Sequence, residues 1–501
     1  MKVLIALLAL VLACTPAEAA PPAPAAIDLP VTEFTLKNGM RFIVLPRHDT
    51  PTVATYLQFK VGSAMEHPGI TGGSHMLEHM MFKGTKTTGT WNYEAEIPLM
   101  KEIDRLAGEM VAEQAKFATT YGGGDPARVA AIKAQITKLQ AEQKKYMISE
   151  ELWGIYQRNG GSGLNASTWE DGTNYYVSLP ANRLEVWAML ESDRMRDPVF
   201  REFYTERDVV NEERRMSVDN DPDGKLFEAL QSAVYVSSPY GWPTIGWPGD
   251  LNSMRREDME AYFRRYYAPN NAVAVIVGDV DPAQVQALAE KYFASIPPSN
   301  LPTTVATEEM PAGGHRRVEV EHEARPRLYM AWLGPKYGDP DEYVLDVIGE
   351  VLSSGRTSRL YTALVEKKRI ASSVSAFNYT RRLGNLFLVN ATPQGNTSTR
   401  ALEEAVSEQL DLLKTQPVSQ WEVRKVTHGL EADFIRRLQS NTGIANSLGN
   451  AEALSGDWRN FDQRRRWYAV TPARIMQVAK KYFTRRNLTV ATLVGPAKGV
   501  K

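Results

Sequence analysis

Cysteine is all but absent: Cys14 stands alone among 501 residues. An intrachain disulfide is excluded, and any metal site further along has to be assembled from His, Asp and Glu. A surplus of one charge is missing as well. Lys plus Arg number 58 against 59 Asp plus Glu, a formal net charge of −1, which argues against nucleic acid as a main partner because that role calls for a basic surface. Long apolar runs are missing too, apart from residues 3–13. That run is too short to cross a bilayer and, behind Lys2, has the form of a signal-peptide core. Ala17-Glu18-Ala19 fits small-x-small cleavage, so residues 1–19 are expected to be removed on export to a bacterial periplasm. The alternative is Val11-Leu12-Ala13-Cys14, which is similar to a bacterial lipoprotein box and would leave an outer-membrane lipoprotein anchored through Cys14. The Pro/Ala-rich stretch that follows predicts a disordered tether over 20–30.

What is present is a globular composition, 43% hydrophobic and 23% charged, in a chain too long for one ordinary core. Two domains are expected, 31–296 and 315–501, joined by a linker at 297–314 rich in Pro, Thr, Ser and Gly. Residues 33–61 read as a hairpin turning at Asn38-Gly39, followed by a further alternating strand. The wholly apolar run 272–277 predicts a buried strand. Its frame, Asn270 before and Gly278 after, recurs as Asn487 and Gly495 at an offset of 217, and Arg264-Arg265-Tyr266-Tyr267 is echoed by Lys480-Lys481-Tyr482-Phe483. Two features in one order at nearly one offset predict duplicated domains. Between the first strands and this run, residues 93–117 and 127–146 carry apolar residues at helical spacing. These are Leu99, Ile103, Leu106 and Met110 on one arm and Ile132, Ile136 and Leu139 on the other. They predict an antiparallel helical hairpin projecting from the first domain, within an insertion at about 93–157.

The chemistry is concentrated in Ser74-His75-Met76-Leu77-Glu78-His79-Met80-Met81-Phe82. On a helix, positions i, i+3 and i+4 share a face. His75, Glu78 and His79 then come to one side, and the apolar remainder is that of a buried helix, with Ser74 expected as its N-cap. Two imidazoles so placed can share one zinc ion, with the Glu78 carboxylate beside any water held there. The other reading is a buried helix with two hydrogen-bonded histidines, and with only 7 His in the chain the coincidence it requires is small.

A catalytic zinc with two histidines lacks one protein ligand. Read as a helix, 203–216 sets Glu206, Val209, Val210, Glu213 and Met216 on one face, an apolar stripe broken by two carboxylates, with Glu212 off it. Buried carboxylates need partners, either a cation or arginines at a helix–helix contact.

The order His-x-x-Glu-His inverts the common zinc-protease order. The stretch resembles the active site of the inverzincins, the insulinase/pitrilysin-type metallopeptidases that include mitochondrial processing peptidase. The resemblance covers nearly the whole chain after the signal segment. It implies an α+β fold of two homologous α/β-roll domains, each a mixed or antiparallel sheet packed on helices, with a metal site only in the first. The corresponding helix of the second half, near 343–352, offers Asp346 and Glu350 but no histidine. The resemblance further implies one zinc per chain, held by His75, His79 and Glu213, with Glu206 orienting a ligand. The interval from His79 to Glu213 is longer than is usual in the family, and the hairpin accounts for the difference. Leu164-Asn165-Ala166 after Gly160-Gly161 resembles the family's edge strand, to which substrate backbone adds. Asn165 and Ala166 are then substrate-binding, or Asn165 is an ordinary turn or strand-start residue. Family members also use an Arg and a Tyr of the second half at the substrate. Tyr379, Arg381 and Arg382 are placed for that role, or are exposed loop groups.

The activity this implies is that of a zinc metalloendopeptidase acting on unfolded peptides or small polypeptides, with Glu78 as the base toward water. A homodimer, or a heterodimer with an inactive homologue, is expected to enclose the substrate. The alternative from another class is a non-catalytic or partner-dependent assembly subunit. A metal-dependent hydrolase of non-peptide substrates is disfavoured, because an edge strand suits extended backbone.

Overall fold

The computed structural model describes residues 23–119, 123–302, 307–310 and 313–495; the expected signal segment and Cys14 lie outside them. Two sheets organise the chain. The first holds β1 (Thr32–Thr35), β2 (Arg41–Pro46), β3 (Thr52–Phe59), β4 (Ser162–Trp169), β5 (Gly172–Pro180) and β6 (Ala272–Gly278) in the order β1-β2-β6-β3-β5-β4. The second holds β7 (Arg316–Glu321), β8 (Arg327–Leu333), β9 (Ala371–Tyr379), β10 (Leu386–Pro393) and β11 (Leu488–Val494) in the order β7-β11-β8-β10-β9. With β1 set aside the two orders are the same. β2 runs parallel to β6 and β7 parallel to β11, and the other neighbours are antiparallel. The strands framed by Asn and Gly in the sequence are the matching strands β6 and β11.

The helices of the first half that matter here are α1 (Gly73–Met80), α2 (Tyr93–Thr119), α3 (Pro126–Gln143), α4 (Glu151–Arg158), α5 (Leu184–Arg196) and α6 (Phe203–Arg214). Strand alternation divides the first sheet between two cores. Phe42, Val44, Ala274 and Ile276 pack with Met76 and Leu77 of α1 and Trp187 of α5. Ile43, Leu45, Tyr56, Val273 and Val275 point the other way, into a core shared with Ala445 and Leu448 of the second half's helix Asn441–Ser455. That is why β6 is apolar on both faces. Gly449 of that helix lies so close to the Tyr56 ring that a Cβ would overlap it. The arrangement is reciprocal. Leu226, Leu230 and Val234, on helix Pro222–Val234 of the first half, cover Ala331, Leu388, Ala491 and Leu493 of the second sheet. Each half lends the other a helix.

Two expectations are corrected. The hairpin α2–α3 closes through Ile103, Leu106, Ala107 and Met110 against Ile132 and Ile136, with Met100 rather than Leu99 buried. Its root does not stand clear of the domain. Gln140 Nε2 donates to Thr205 Oγ1 at 3.1 Å, Tyr204 Oη donates to Asp104 Oδ1 at 3.2 Å, and the fully buried Arg201 pairs with Glu96 at 2.9 Å. α6 is thereby braced at its N-terminal end. The tether expected over 20–30 is docked from residue 25. Ile27 N donates to Asp462 Oδ2 at 3.1 Å, Arg464 Nη2 donates to Ala25 O at 2.9 Å, and Ile27, Leu29 and Val31 pack on the second core. Those three alternate with a period of two, so one face of an extended segment is apolar. Among the described residues no helix is long and apolar enough to cross a membrane.

Candidate active site

α1 begins behind Gly72, whose φ of 87° suits glycine and whose Cβ, if present, would strike Ile245 O. Ser74 does not cap the helix. The buried Glu66 does, accepting from Gly72 N at 2.8 Å and Ser74 N at 2.7 Å, while Ser74 Oγ bonds Tyr262 Oη at 2.8 Å. Burial outweighs these bonds and pushes the Glu66 carboxyl up to about 8, so its part is to supply acceptors to the free N–H groups at the helix start. Met76, Leu77 and Met80 are buried, and His75, Glu78 and His79 face the other way, half-buried.

α6 crosses in front of them. Its stripe differs from the expected one. Val210 is buried, but Val209 and Met216 are exposed and Arg207 and Arg214 lie inside. The arginines are tolerated because Arg207 Nη1 donates to Met254 O at 3.0 Å and Arg214 Nη1 pairs with Glu228 at 2.7 Å. Glu213 Oε2 lies 3.7 Å from His75 Nε2 and 3.5 Å from His79 Nε2, and the three donor atoms fall within 4.8 Å of one another. Those separations exceed an N–H···O hydrogen bond. They match a tetrahedral shell, where bonds of about 2.0–2.1 Å put ligand atoms about 3.4 Å apart. The donor set fits zinc. His79 Nδ1 meets Glu206 Oε1 at 2.9 Å, and Glu206 Oε2 takes Lys83 Nζ at 2.6 Å.

The electrostatics agree with the geometry. Burial, helped by His79, lowers the His75 pKa to about 4 and keeps the ring neutral, the form that binds a metal. Burial also pulls His79 down, but Glu206 and Glu213 outweigh it and hold His79 at about 9. The second proton of His79 is the charge a cation would replace. Burial opposes ionised Glu206, yet His79 and Lys83 hold its carboxyl at about 2. His79 above all keeps Glu213 below the usual carboxylate range. Burial pushes Glu78 up, against a hydrogen bond of 2.6 Å from Thr168 Oγ1 to Glu78 Oε2.

A cavity of about 410 Å³ opens beside Glu78 and His79, with Phe82 and Trp153 stacked at 5.6 Å in its wall. Asn165 lines it from β4, the edge of the first sheet, and its Oδ1 accepts from Ala166 N at 2.9 Å. The Ala166 side chain is buried in the core, so Ala166 offers only backbone. Tyr379, Arg381 and Arg382 are not exposed loop groups; they meet the turn that joins β4 to β5. Arg381, 1% exposed, pairs with Glu170 at 2.5 Å, Tyr379 Oη donates to Glu170 Oε2 at 3.3 Å, and Arg382 N donates to Asp171 Oδ2 at 3.0 Å. The turn joining β4 to β5 carries two buried acids, and these residues compensate them. Glu66, Lys83, Thr168 and Trp153 are missed by the sequence reading. Only Thr168 left a signal: in a strand it shares the inward side with Ala166.

A duplicated sheet-and-helix fold in which one His-x-x-Glu-His helix faces a carboxylate helix is the architecture of the M16-type peptidases. The chain belongs to the insulinase family, peptidase family M16. The insulinase model matches residues 42–121 and 142–246, and a model described as the peptidase M16 inactive domain matches residues 253–430. The interval between the first two segments covers the hairpin tip and most of α3. The chain is 28% identical over 468 residues to the zinc protease PqqE of Helicobacter pylori, covering 92% of this chain and 91% of that protein. It is 23% identical over 495 residues to the beta subunit of the mitochondrial-processing peptidase of Lentinula edodes, covering 94% and 91%. A protease crystal structure from Helicobacter pylori matches with a TM-score of 0.77 at 26% identity, covering 93% of this chain and 100% of that one. The first half of the periplasmic protease PqqL from Escherichia coli matches in fold, with a TM-score of 0.67 at 16% identity, covering 94% and 93%.

Proposed function

We propose that the protein is a zinc-dependent endopeptidase that hydrolyses peptide bonds of unfolded peptides or small polypeptides. The observation that carries this reading is the convergence of His75 Nε2, His79 Nε2 and Glu213 Oε2, with Glu78 alongside. His75, His79 and Glu213 would hold the ion. When bound, zinc polarises the scissile carbonyl and acidifies water at the site. Glu206 fixes the His79 ring by accepting a hydrogen bond from its Nδ1–H, and Lys83 balances the charge of Glu206. Substrate backbone pairs with the edge of β4, which leaves the scissile bond in front of α1. Glu78 Oε1, the oxygen not bonded by Thr168, takes a proton from water and passes it to the leaving amine. A substrate side chain next to that bond enters the cavity walled by the stacked rings of Phe82 and Trp153.

The sequence supports secretion through residues 1–19, which gives a periplasmic protease working on exported or imported peptides. Val209, exposed on α6, and Met216, exposed in the turn of helix that continues it, suit a dimer that closes over the site. The test is metal content and cleavage of an unstructured fluorogenic peptide, measured side by side for wild type, Glu213→Gln and Glu78→Gln. Glu213→Gln is expected to lose metal and activity together. Glu78→Gln is expected to keep the metal and lose most turnover. Zinc-loaded wild type that cleaves nothing, alone or as a dimer, would leave the assembly-subunit reading in its place.

A further inference from the structure

We propose that Thr168 is a positioning residue for Glu78, and that the second domain sets Thr168 in place through the ion pair of Arg381 with Glu170. This deepens the peptidase reading and rests on it. Thr168 Oγ1 lies 2.6 Å from Glu78 Oε2, and among the described residues no other group hydrogen-bonds that carboxylate. A carboxylate oxygen accepts, so Thr168 Oγ1 donates to Glu78 Oε2; the alternative acceptor for the Thr168 proton, Thr173 Oγ1, stands farther off at 3.4 Å and gives its own proton to Val61 O at 2.9 Å. The terminal torsion of a glutamate is broad. One short bond therefore decides which oxygen is anchored and which is left for water.

Thr168 is held in turn by the hairpin it sits on. Trp169 pairs with Gly172, which leaves Glu170 and Asp171 as a two-residue turn. Two-residue hairpins prefer turns with positive φ, and neither residue adopts one. The turn is pinned from outside instead. Ala64 N donates to Glu170 O at 2.9 Å within the first half. The second domain supplies Arg381, a close ion pair angled away from an ideal hydrogen bond, and the backbone N–H of Arg382 on Asp171. Arg381 is itself boxed by the rings of Tyr379 at 4.2 Å, Tyr240 at 5.1 Å and Tyr235 at 5.4 Å, and its Nη1 donates to Tyr235 Oη at 3.0 Å. A guanidinium so enclosed has one position. The link from Arg381 to Glu170, along the hairpin to Thr168 and on to Glu78, gives the domain that lacks the His-x-x-Glu-His helix a part in the chemistry that needs no contact with substrate.

The test uses the full-length zinc-loaded protein. Thr168→Val is expected to lower kcat about tenfold or more with KM and zinc content unchanged, and Thr168→Ser to restore most of it. Glu170→Gln is expected to lower kcat in the wild-type background and to add little to Thr168→Val. Crystals of wild type and Thr168→Val give a readout that needs no turnover. The Glu78 carboxylate is expected in one orientation in the first and in several in the second. Wild-type kcat in Thr168→Val, a Ser variant as slow as the Val variant, or an unmoved Glu78 overturns the role of Thr168. Multiplicative effects of Glu170→Gln and Thr168→Val overturn the domain coupling. A wild type that cleaves no peptide sinks the peptidase reading, while the crystals still decide the positioning claim.

Discussion

Glu206→Gln is a sharp probe of the site, because both carboxylate oxygens are committed. One faces His79 Nδ1 at 2.9 Å and the other Lys83 Nζ at 2.6 Å. The amide can keep an oxygen toward His79, but its NH2 then meets the Lys83 ammonium. Turned round, it sets NH2 against the imidazole N–H. Either pose opposes donor to donor. Among the described residues Lys83 has only Glu202, at 3.9 Å, to fall back on. Losing the orienting partner of a metal-binding histidine typically weakens metal affinity 10–100-fold, about 1.4–2.7 kcal/mol. The assay is zinc competition against a chromophoric chelator at fixed pH, followed by activity at saturating zinc. Glu206→Gln is expected to bind zinc at least tenfold more weakly, with much of the activity returning at high zinc. Adding Lys83→Met removes the clash on one side and is expected to recover part of the affinity. Wild-type affinity in the single variant, or a double variant no better than the single, would refute this reasoning.

Three further outcomes follow from other parts of the fold. Glu96→Ala leaves Arg201 buried and unpaired at the hairpin root, so it is expected to cost about 3–5 kcal/mol in chemical denaturation and to speed hydrogen exchange in α2. Gly449→Ala forces a methyl into the Tyr56 ring at the junction of the halves, with an expected cost of about 1–3 kcal/mol in the same measurement. Burial raises Glu342 from 4.5 to about 8 and Asp346 from 3.8 to about 6. Within those windows the folded state keeps protons that the unfolded chain has lost, so stability falls as pH rises through them. Tm is expected to drop between pH 5 and 8, and Glu342→Gln to flatten the slope.

The sequence was informative where a rare residue type met a strict period. His75, Glu78 and His79 could be read because a helix puts spacings of three and four on one face, and the duplication because framed apolar strands recur. The carboxylate helix was found through Glu206 and Glu213 although its stripe was drawn wrongly. Val209 and Val210 look alike in sequence, and only the packing of Arg207 and Arg214 decides which is inside. Glu66 as the cap of α1 and the pairing of Arg381 with Glu170 had no local signature. The first reaches back six and eight positions to a residue outside the usual N-cap place, and the second belongs to the assembled fold, beside the Arg382–Asp171 bond that spans 211 positions. The tether was misread because Pro and Ala dominate its composition, while the alternation of Ile27, Leu29 and Val31 governs its contacts.

The exchange of helices between the sheets also bears on how the molecule comes into being. A chain cut between residues 297 and 314 would yield two pieces, each with the back of its sheet stripped of the plug supplied by the other. Such pieces are expected to be insoluble apart and to recover their shape when mixed, as obligate complements do. During synthesis the first half would wait, with an uncovered sheet, until residues 441–455 arrive. Peptide-bond continuity is then less important to this architecture than the simultaneous presence of both parts.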